Sequence, residues 1–302
     1  MEKFTRQEIL ERLHKKIAAK EAIIGTSAGL GLVGKIADVS GIDLLVGYST
    51  STLRSDGVPS AVAYRPIFDS NQLTLDLAPR LTKVVKNTPV IMGIAAADPR
   101  RDIDKVIDEM VEAGASGIVN APSSTKHGNP NRRNFDQWGM GFPCEAELIR
   151  KCRARNLFSV GEISYIEEDM DAIIAVHGVS TVDEMSADEA FHHYLTEIVK
   201  AGADLVNVSF ELTYDDITED TKDGIIAKCC GVVQKAIEEA KALNPEIIVT
   251  VSGRPFETVD NIRVLLEKTD AHGVIMLDAI EVNAVSSAVY NVVRGFKELS
   301  LR

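Results

Sequence analysis

Eight apolar runs alternate with amphipathic helical segments along most of the chain. Near-continuous apolarity is typical of parallel strands buried on both faces, and a helical periodicity follows each run. The runs are AIIGTS (22–27), DLLVGYS (43–49), PVIMGIAA (89–96), GIVNAP (117–122), FSVGEIS (158–164), ADLVNVSF (203–210), EIIVTVS (246–252) and GVIMLDA (273–279). Eight strand–helix units predict an α/β fold, a single (β/α)8 barrel of the TIM type.

A doubly wound parallel sheet is the alternative fold. Its first turn would carry GxGxxG, with an acidic residue about 20 positions further on. The chain has this spacing at Gly29, Gly31 and Gly34, but the motif begins only after the turn that ends the first run. No acidic residue stands at 46–50, where the partner would fall. The barrel is therefore the prediction.

No Pro-rich or Ser-rich linker divides the chain, so we expect one domain over residues 1–302. The segment at about 4–20 predicts an additional amphipathic helix, packed outside the barrel or across its bottom. Residues 165–189 exceed an ordinary strand-to-helix loop and predict an insertion. The last helical segment carries an apolar stripe, and we expect most of it to face the core. We also expect the protein to be a homo-oligomer in which this terminal helix takes part in subunit packing. The stripe is Val282, Val285, Val289, Val292, Val293 and Phe296.

The overall charge and the cysteines exclude several classes of protein. A net charge of -12 argues against a nucleic-acid or anionic-membrane surface, because phosphate binding needs clustered Lys and Arg. No apolar run approaches the length of a membrane span, about 18 residues, and no signal peptide is evident. The four cysteines form no CxxC pair and indicate reduced thiols in a cytoplasmic protein.

Polar residues stand at the carboxyl end of every predicted strand, which is where barrels of this type carry their functional site. In strand order they are Thr26 and Ser27; Tyr48, Ser49, Thr50, Ser51 and Arg54; Asp98; Asn120; Glu162; Ser209 and Glu211; Ser252 and Arg254; and Asp278. We predict that these side chains line one pocket that binds a small molecule.

The second strand has the most unusual end, GYSTSTLRS (47–55). Hydroxyls and backbone N–H groups at such a position bind a carboxylate or phosphate, and a guanidinium clamps it through two parallel hydrogen bonds. This predicts a cradle for a substrate anion, formed by Ser49, Ser51 and Arg54. The alternative is that the hydroxyls only close turns and that Arg54 is solvated.

Two acids are candidates for catalysis. Asp98, in IAAADPRRD (94–102), either moves protons and binds metal or caps the following helix. Glu162 lies where burial would raise the pKa of a carboxyl group, and its alternative role is a structural ion pair. Glu211 precedes an acidic segment and belongs either to the site or to a solvated rim. No HxxxH or HxH spacing supports zinc, so a metal here would be Mg²⁺, held by Asp98 and a second carboxylate through waters.

Three stretches carry a resemblance to a known family: TPVIMGIAAADP (88–99), GIVNAPSS (117–124) and GMGFPCEAELIR (139–150). They resemble the phosphoenolpyruvate hydrolase-like TIM-barrel family, which is related to the phosphoenolpyruvate mutase/isocitrate lyase-like superfamily. A weaker similarity covers most of residues 20–296. The resemblance implies an oligomeric barrel that handles small 2-oxo acids or enol phosphates, often with Mg²⁺. It assigns the substrate anion to Ser49, Ser51 and Arg54, metal or acid–base work to Asp98, and the site wall to Asn120 and Glu145.

The chain also departs from the superfamily pattern. Only Asp98 stands where a pair of acids is usual, Asn120 replaces a carboxylate, and Gly253-Arg254-Pro255 replaces a Gly-Gly-Pro turn. We predict a lyase or hydrolase acting on a small 2-oxo acid, an enol phosphate or a related enolisable carboxylate. The alternative, which the missing second acid makes credible, is a non-catalytic ligand-binding or regulatory barrel.

Overall fold

Eight parallel strands close into a barrel in chain order in the computed structural model, which describes residues 4–64, 67–127, 134–166, 186–211, 218 and 220–301. The first strand pairs with the second and also with the eighth, so the sheet has no edge. The strands are β1 (Ile23–Ser27), β2 (Leu44–Gly47), β3 (Val90–Gly93), β4 (Gly117–Val119), β5 (Phe158–Tyr165), β6 (Leu205–Phe210), β7 (Ile248–Gly253) and β8 (Gly273–Met276). The predicted (β/α)8 barrel is confirmed, and the doubly wound sheet is excluded.

Helices follow the strands around the outside of the barrel. They are α1 (Arg6–Ala18), α2 (Gly31–Val39), α3 (Ser49–Ser55), α4 (Ser60–Ala63), α5 (Ser70–Thr82), α6 (Ile103–Glu112), α7 (Phe142–Ala154), α8 (Ala187–Lys200), α9 (Lys222–Leu243), α10 (Val259–Lys268) and α11 (Val285–Lys297). A short 3-10 turn covers Ser124–Lys126, and a π-helical segment, Ala279–Ala284, leads into α11. Because all strands run in one direction, every strand-to-helix loop lies at the same, carboxyl, end.

Helix α1 closes the amino end of the barrel. It begins at a capping box in which Thr5 and Glu8 bond reciprocally to backbone N–H groups. Its Ile9 and Leu13 are buried in the apolar cluster that fills the barrel interior. Arg6 donates three hydrogen bonds to Asp204, the residue before β6: from Nη2 to Oδ1 at 2.6 Å, and from Nε to Oδ1 and Oδ2 at 3.0 Å each. The additional helix is thus confirmed and lies across the bottom.

The glycine-rich turn after β1 is explained by close packing rather than by a dinucleotide. A Cβ atom on Gly29 would lie only 1.9 Å from the carbonyl oxygen of Ser51, in α3. Glycine is therefore required for α3 to fold back over the end of β1. This contact brings the hydroxyl-rich segment against the barrel mouth.

Helix α11 does not pack on the barrel core. All of its residues are exposed, including Val289 (59%) and Phe296 (70%). The core-facing position expected for its apolar stripe is therefore wrong. The outward face of α2 is also apolar and uncovered, with Leu32, Ile36 and Val39 exposed.

Two further expectations concern parts of the chain that the structure describes only in part. Most of the expected insertion, residues 167–185, lies outside the described residues. Among the helices that the structure does describe, none combines the length and apolarity needed to cross a bilayer.

Candidate functional site

The end of β2 continues directly into α3, so the expected turn is a short helix. Ser49, Thr50, Ser51 and Arg54 are all buried there. The hydroxyls of Ser49, Thr50 and Ser51 have no hydrogen-bond partner among the described residues. The alternative in which Arg54 is solvated is therefore wrong, because Arg54 and these hydroxyl-bearing residues before it are buried.

Arg54, in the helix that follows β2, lies at the centre of a buried cluster that also contains residues from the segment after β8. Its Nε donates to Glu281 Oε2 at 2.6 Å and lies 3.3 Å from Asp278 Oδ1, and both acids follow β8. Its Nη2 donates to Ser27 and to the Tyr48 hydroxyl, each at 3.3 Å. Its Nη1, by contrast, is buried without a partner in the described part of the chain. The guanidinium therefore keeps one free donor in the barrel mouth.

The charge states in this cluster follow from burial and pairing. Burial works against the Arg54 charge, but Tyr48, Glu281 and Asp278 outweigh it and hold the pKa well above its ordinary value. Burial also raises the pKa of Tyr48 well above its usual value, although Arg54 opposes the shift. The cluster thus combines a permanent cation with a neutral phenol, whose hydroxyl can donate a hydrogen bond.

Asp278 connects this cluster to the end of β7. It accepts from the Ser60 hydroxyl at 3.0 Å, and Arg254 Nη2 approaches it at 4.0 Å. Arg254 also lies 3.6 Å from Glu257, whose pKa is raised, chiefly by burial. Residues predicted from strands one, two, seven and eight are thereby brought together.

A second buried cation, Lys126, was not among the predicted site residues. It ends the 3-10 turn after β4, and its side chain is 1% exposed. Its Nζ contacts Glu211 Oε1 at 2.5 Å, Glu162 Oε1 at 2.9 Å and Ser209 Oγ at 3.1 Å. Burial alone would lower the pKa of Lys126, but the two carboxylates hold it well above its ordinary value. The predicted Glu162, Ser209 and Glu211 thus meet around this ammonium group.

Tyr64 contacts the Lys126 cluster and also lines an open groove. Its ring lies 4.9 Å from Lys126 Nζ, and it lines a cavity of about 460 Å³ together with Asp98, Arg100, Ser124 and other residues. Burial raises the pKa of its hydroxyl, while Lys126 opposes the shift. Tyr64 and Ser124 thus place this cavity next to the turn that carries Lys126.

Asn120 and Glu145 hold the loop after β4 in place. Asn120 accepts from the backbone N–H of Glu162 at 2.6 Å and donates to Glu145 Oε2 at 2.5 Å. Glu145 also accepts from the hydroxyl of Ser123 at 2.7 Å and from both the hydroxyl and the backbone N–H of Ser124. These bonds occupy both carboxylate oxygens, and they fix the turn that carries Lys126.

The burial of Glu145 predicts a measurable pH dependence of stability. Burial raises the pKa of Glu145 from 4.5 to about 6. The folded state then binds this proton more tightly than the unfolded state. The stabilisation is complete below pH 4.5 and is lost as the pH rises through 6. We expect the free energy of unfolding to fall by about 2 kcal/mol across this range. Urea unfolding of Glu145→Gln should lack this component, while Glu147→Gln, exposed on the same helix, should retain it.

Asp98 lies apart from both buried clusters. Its Oδ1 accepts from Arg100 Nε at 2.9 Å, and its Oδ2 accepts from Arg100 Nη2 at 3.1 Å and from Asn71 at 3.3 Å. Burial opposes ionisation of this carboxyl, but Arg100 and Asn71 outweigh it and lower the pKa. Helix α6 is capped by Asp102 instead, so the capping alternative for Asp98 is wrong.

The carboxylate of Asp98 does not fit the expected magnesium ligand. Both oxygens already face a guanidinium, and Arg101 Nε lies a further 3.7 Å from Oδ2. Arg100 and Arg101 thus already supply the positive charge that a bound Mg²⁺ would bring to this carboxylate. Among the described residues, no group of three His, Cys, Asp or Glu side chains is arranged to hold a metal.

Thr26 and Ser252 make internal contacts at the strand ends. Thr26 donates to the carbonyl oxygen of Met276 at 3.0 Å, and Ser252 accepts from Asn207 at 2.8 Å. These bonds join β1 to β8 and β6 to β7, so both residues support the barrel mouth.

Lys126, Glu281 and Tyr64 are the site residues that the sequence did not reveal. Lys126 stands only six positions after Asn120, in NAPSSTKH (120–127), and Glu281 three positions after Asp278. Extending each strand end by a few residues would have included both. Tyr64 comes from the long connection between β2 and β3, and nothing in its local sequence marks it.

The fold and the site together define a class of protein: a closed parallel barrel with buried ion pairs at its carboxyl mouth. The sequence model described as phosphoenolpyruvate hydrolase-like matches residues 8–190 and 189–299. The chain belongs to this family.

Two curated relatives match nearly the whole chain. The ToMV susceptible protein tm-1 of Solanum lycopersicum is 26% identical over 294 residues, covering 97% of this chain and 36% of the relative. The putative transcriptional regulatory protein y4pA of Sinorhizobium fredii is 21% identical over 295 residues, covering 97% of this chain and 44% of the relative. The chain thus spans less than half the length of either relative.

Solved structures share the fold at low sequence identity. Phosphoenolpyruvate phosphomutase from Streptomyces platensis subsp. rosaceus superposes with a TM-score of 0.61 at 14% identity, covering 95% of this chain and 86% of that one. Phosphonopyruvate hydrolase in complex with oxalate and Mg²⁺ gives 0.57 at 17% identity, covering 97% and 87%. Oxaloacetate acetylhydrolase with 3,3-difluorooxalacetate gives 0.58 at 13%, covering 99% and 88%.

Proposed function

We propose that the protein is a lyase or hydrolase that acts on a small 2-oxo acid or a related enolisable carboxylate. One observation carries this proposal: Arg54 is buried in the barrel mouth with Nη1 unpartnered among the described residues, beside the buried hydroxyls of α3. An unpaired buried donor of this kind is costly unless a ligand satisfies it. A carboxylate is the ligand that a guanidinium binds best.

Residues of this chain could catalyse the cleavage of a C–C bond next to a pyruvyl group. In a lyase reaction, Glu162 accepts the proton of a hydroxyl on the carbon that departs, and this carbon leaves as a carbonyl group. The electron pair of the broken C–C bond forms the enolate, whose charge the cations of the site stabilise. Return of the proton to the enolate carbon completes the reaction. Arg54 holds the substrate carboxylate throughout.

The solved relatives support this class of substrate. The phosphonopyruvate hydrolase was obtained with oxalate, and the oxaloacetate acetylhydrolase with a difluorinated oxaloacetate. Both ligands are small dicarboxylates. Mg²⁺ accompanies oxalate in the first complex, whereas Asp98 of this chain is bound to Arg100 and does not fit that metal.

The second candidate is a ligand-binding barrel without turnover. The observation that favours it is that the predicted catalytic Asp98 is neutralised by Arg100 and lies outside the two buried clusters. The names of the curated relatives, a virus-susceptibility protein and a putative regulator, point in the same direction.

Turnover separates the two candidates. The purified chain should be incubated with a 4-hydroxy-2-oxo acid, with phosphonopyruvate and with oxaloacetate. The release of pyruvate from the first, of phosphate from the second and of acetate from the third should be followed by ¹H and ³¹P NMR. Catalysed release that oxalate inhibits would support the enzyme. Oxalate binding without release from any 2-oxo acid would support the ligand-binding barrel. A chain that neither binds oxalate nor releases product would contradict both.

We also propose that the chain is one domain and that it works in a reducing compartment such as the cytoplasm. All four cysteines are free, and three of them are buried. Such thiols are typical of proteins that are not exposed to oxidising conditions.

A further inference from the structure

The barrel mouth holds more carboxylates than cations. Among the described residues, the cations are Arg54, Lys126 and Arg254, and the paired carboxylates are Glu162, Glu211, Glu257, Asp278 and Glu281. An anionic substrate therefore does not enter an open positive pocket. Within the described part of the chain, Arg54 keeps Nη1 free for one oxygen of the substrate, but an oxygen that binds Lys126 has to take the place of a carboxylate that is already there.

The two carboxylates on Lys126 differ in how firmly they are held. Glu162 lies within β5, both of its backbone polar groups bond to Asn120, and its side chain is 4% exposed. Glu211 follows the last residue of β6, and its side chain is 27% exposed. Both contact Nζ, but only Glu211 can turn towards solvent without leaving a buried charge. Glu211 is therefore the exchangeable partner.

The Ser209 hydroxyl makes this position suitable for an anionic oxygen. It accepts from Lys126 Nζ at 3.1 Å and donates to Glu211 Oε1 at 3.0 Å. The same carboxylate oxygen of Glu211 contacts Nζ at 2.5 Å. One oxygen thus receives hydrogen bonds from an ammonium and a hydroxyl. This is a suitable arrangement for a carboxylate or an enolate oxygen of a ligand.

The positive charge that stabilises such an oxygen can come from Lys126 without a divalent metal. The predicted metal ligand, Asp98, is occupied by Arg100, whereas Lys126 is a fixed cation among the acids of the mouth. A buried ammonium in a site that excludes water stabilises a developing oxyanion more strongly than it could in bulk water.

We propose that Glu211 is an internal substitute for the substrate, and that an anionic oxygen of the substrate replaces it on Lys126 and Ser209 without a divalent metal. This inference rests on the proposed function, since it identifies how the same site binds its 2-oxo acid. It makes Lys126 a substrate-binding residue and Glu211 a built-in competitor.

Oxalate binding in EDTA and in Mg²⁺, measured by isothermal titration calorimetry, tests the inference. The native chain should bind oxalate with the same Kd, within a factor of about two, in both buffers. Glu211→Gln should bind oxalate about tenfold more tightly, because a competing negative charge is removed. Glu246→Gln, an exposed acid at the opposite end of the barrel, should leave the Kd unchanged. Lys126→Met should weaken binding by about 30-fold or more.

Glu211→Gln decides the test even if Lys126→Met fails to fold, because misfolding cannot tighten binding. Oxalate binding that requires Mg²⁺, with Glu211→Gln no tighter than the native chain, would overturn the inference and leave the proposed function standing. If oxalate bound in neither buffer and no 2-oxo acid were turned over, the proposed function would fall as well. The two failures are therefore distinguishable.

Discussion

Arg54→Ala is expected to lower the free energy of unfolding by about 3–5 kcal/mol. Arg54 and Glu281 each have a side chain that is 1% exposed, and they form a direct ion pair. Removing the guanidinium leaves the Glu281 carboxylate buried without its cation, and the protein cannot rehydrate it without opening the barrel mouth. Breaking one side of such a pair costs far more than the net value of the pair itself.

The same substitution should also weaken the binding of a carboxylate such as oxalate, by about 2–4 kcal/mol. Arg54→Lys should restore only part of both losses, because an ammonium cannot bond to Glu281, Ser27 and Tyr48 in the planar geometry of a guanidinium. The double variant Arg54→Met/Glu281→Leu should recover most of the stability but none of the oxalate binding. The Glu281 carboxylate is gone, and Asp278 is 21% exposed and keeps Arg254 at 4.0 Å.

Urea unfolding and calorimetry of these variants would measure the two effects separately. Arg263→Ala is the matched control, because Arg263 forms an exposed pair with Asp260, and such pairs contribute about 0–1 kcal/mol. A loss of stability below about 1 kcal/mol for Arg54→Ala would contradict a buried pair. Unchanged oxalate affinity would contradict the anion cradle.

A second large effect is expected at α11. The chain should behave as a dimer, with about twice the 32.8 kDa mass of one chain. Two negative charges on the apolar face, Val289→Asp with Phe296→Asp, should convert it to a monomer. This face is exposed along the whole helix, at 59% for Val289 and 70% for Phe296. Exposed apolar surfaces of this extent mark interaction sites.

The surface that α11 would cover is present on the same chain. The outward face of α2 exposes Leu32 (71%), Ile36 (55%) and Val39 (68%) at helical spacing. In a closed barrel, a helix after β8 would ordinarily pack beside α2, yet α11 has no buried residue. We therefore propose that α11 of one copy covers the α2 face of a second copy, and that α11 of the second copy covers the α2 face of the first. Each copy then supplies both halves of the contact.

Light scattering coupled to size-exclusion chromatography would measure the mass. Ile36→Asp should dissociate the dimer as the α11 variant does, because it alters the other half of the contact. Ser287→Asp with Asn291→Asp adds the same charge to the opposite side of α11 and should leave the dimer intact. A native chain that ran as a monomer at micromolar concentration would refute this arrangement.

The strands and their order could be predicted from local sequence. A parallel strand is buried on both faces, so its apolar run is visible without knowledge of its neighbours, as in DLLVGYS and EIIVTVS. The polar residues at the strand ends could also be predicted to lie at one end of the barrel, because parallel strands place all their carboxyl ends together. Tyr48, Ser49, Arg54 and Asp278 were identified on this basis, and they lie at the carboxyl mouth.

The pairing of the charges could not be predicted in the same way. Arg54 and Glu281 are 227 positions apart, and Lys126 and Glu211 are 85 apart. Both pairs depend on closing the barrel, which brings β8 beside β1 and the turn after β4 towards β6. The bonds of Asp98 could not be predicted either. Asp98 lies after a strand, as the sequence indicated, but Arg100 and Asn71 donate hydrogen bonds to its carboxylate oxygens.

By itself, the sequence determined that this chain forms a closed barrel of eight parallel strands with polar groups at one end, because apolar periodicity is a local property of each segment. Only the tertiary structure decided which of these groups face one another. It placed Lys126 between Glu162 and Glu211, buried Arg54 against Glu281, and left the apolar face of α11 uncovered. The energy of a buried charge depends on neighbours distant in sequence and on the water they exclude, so no local pattern encodes it.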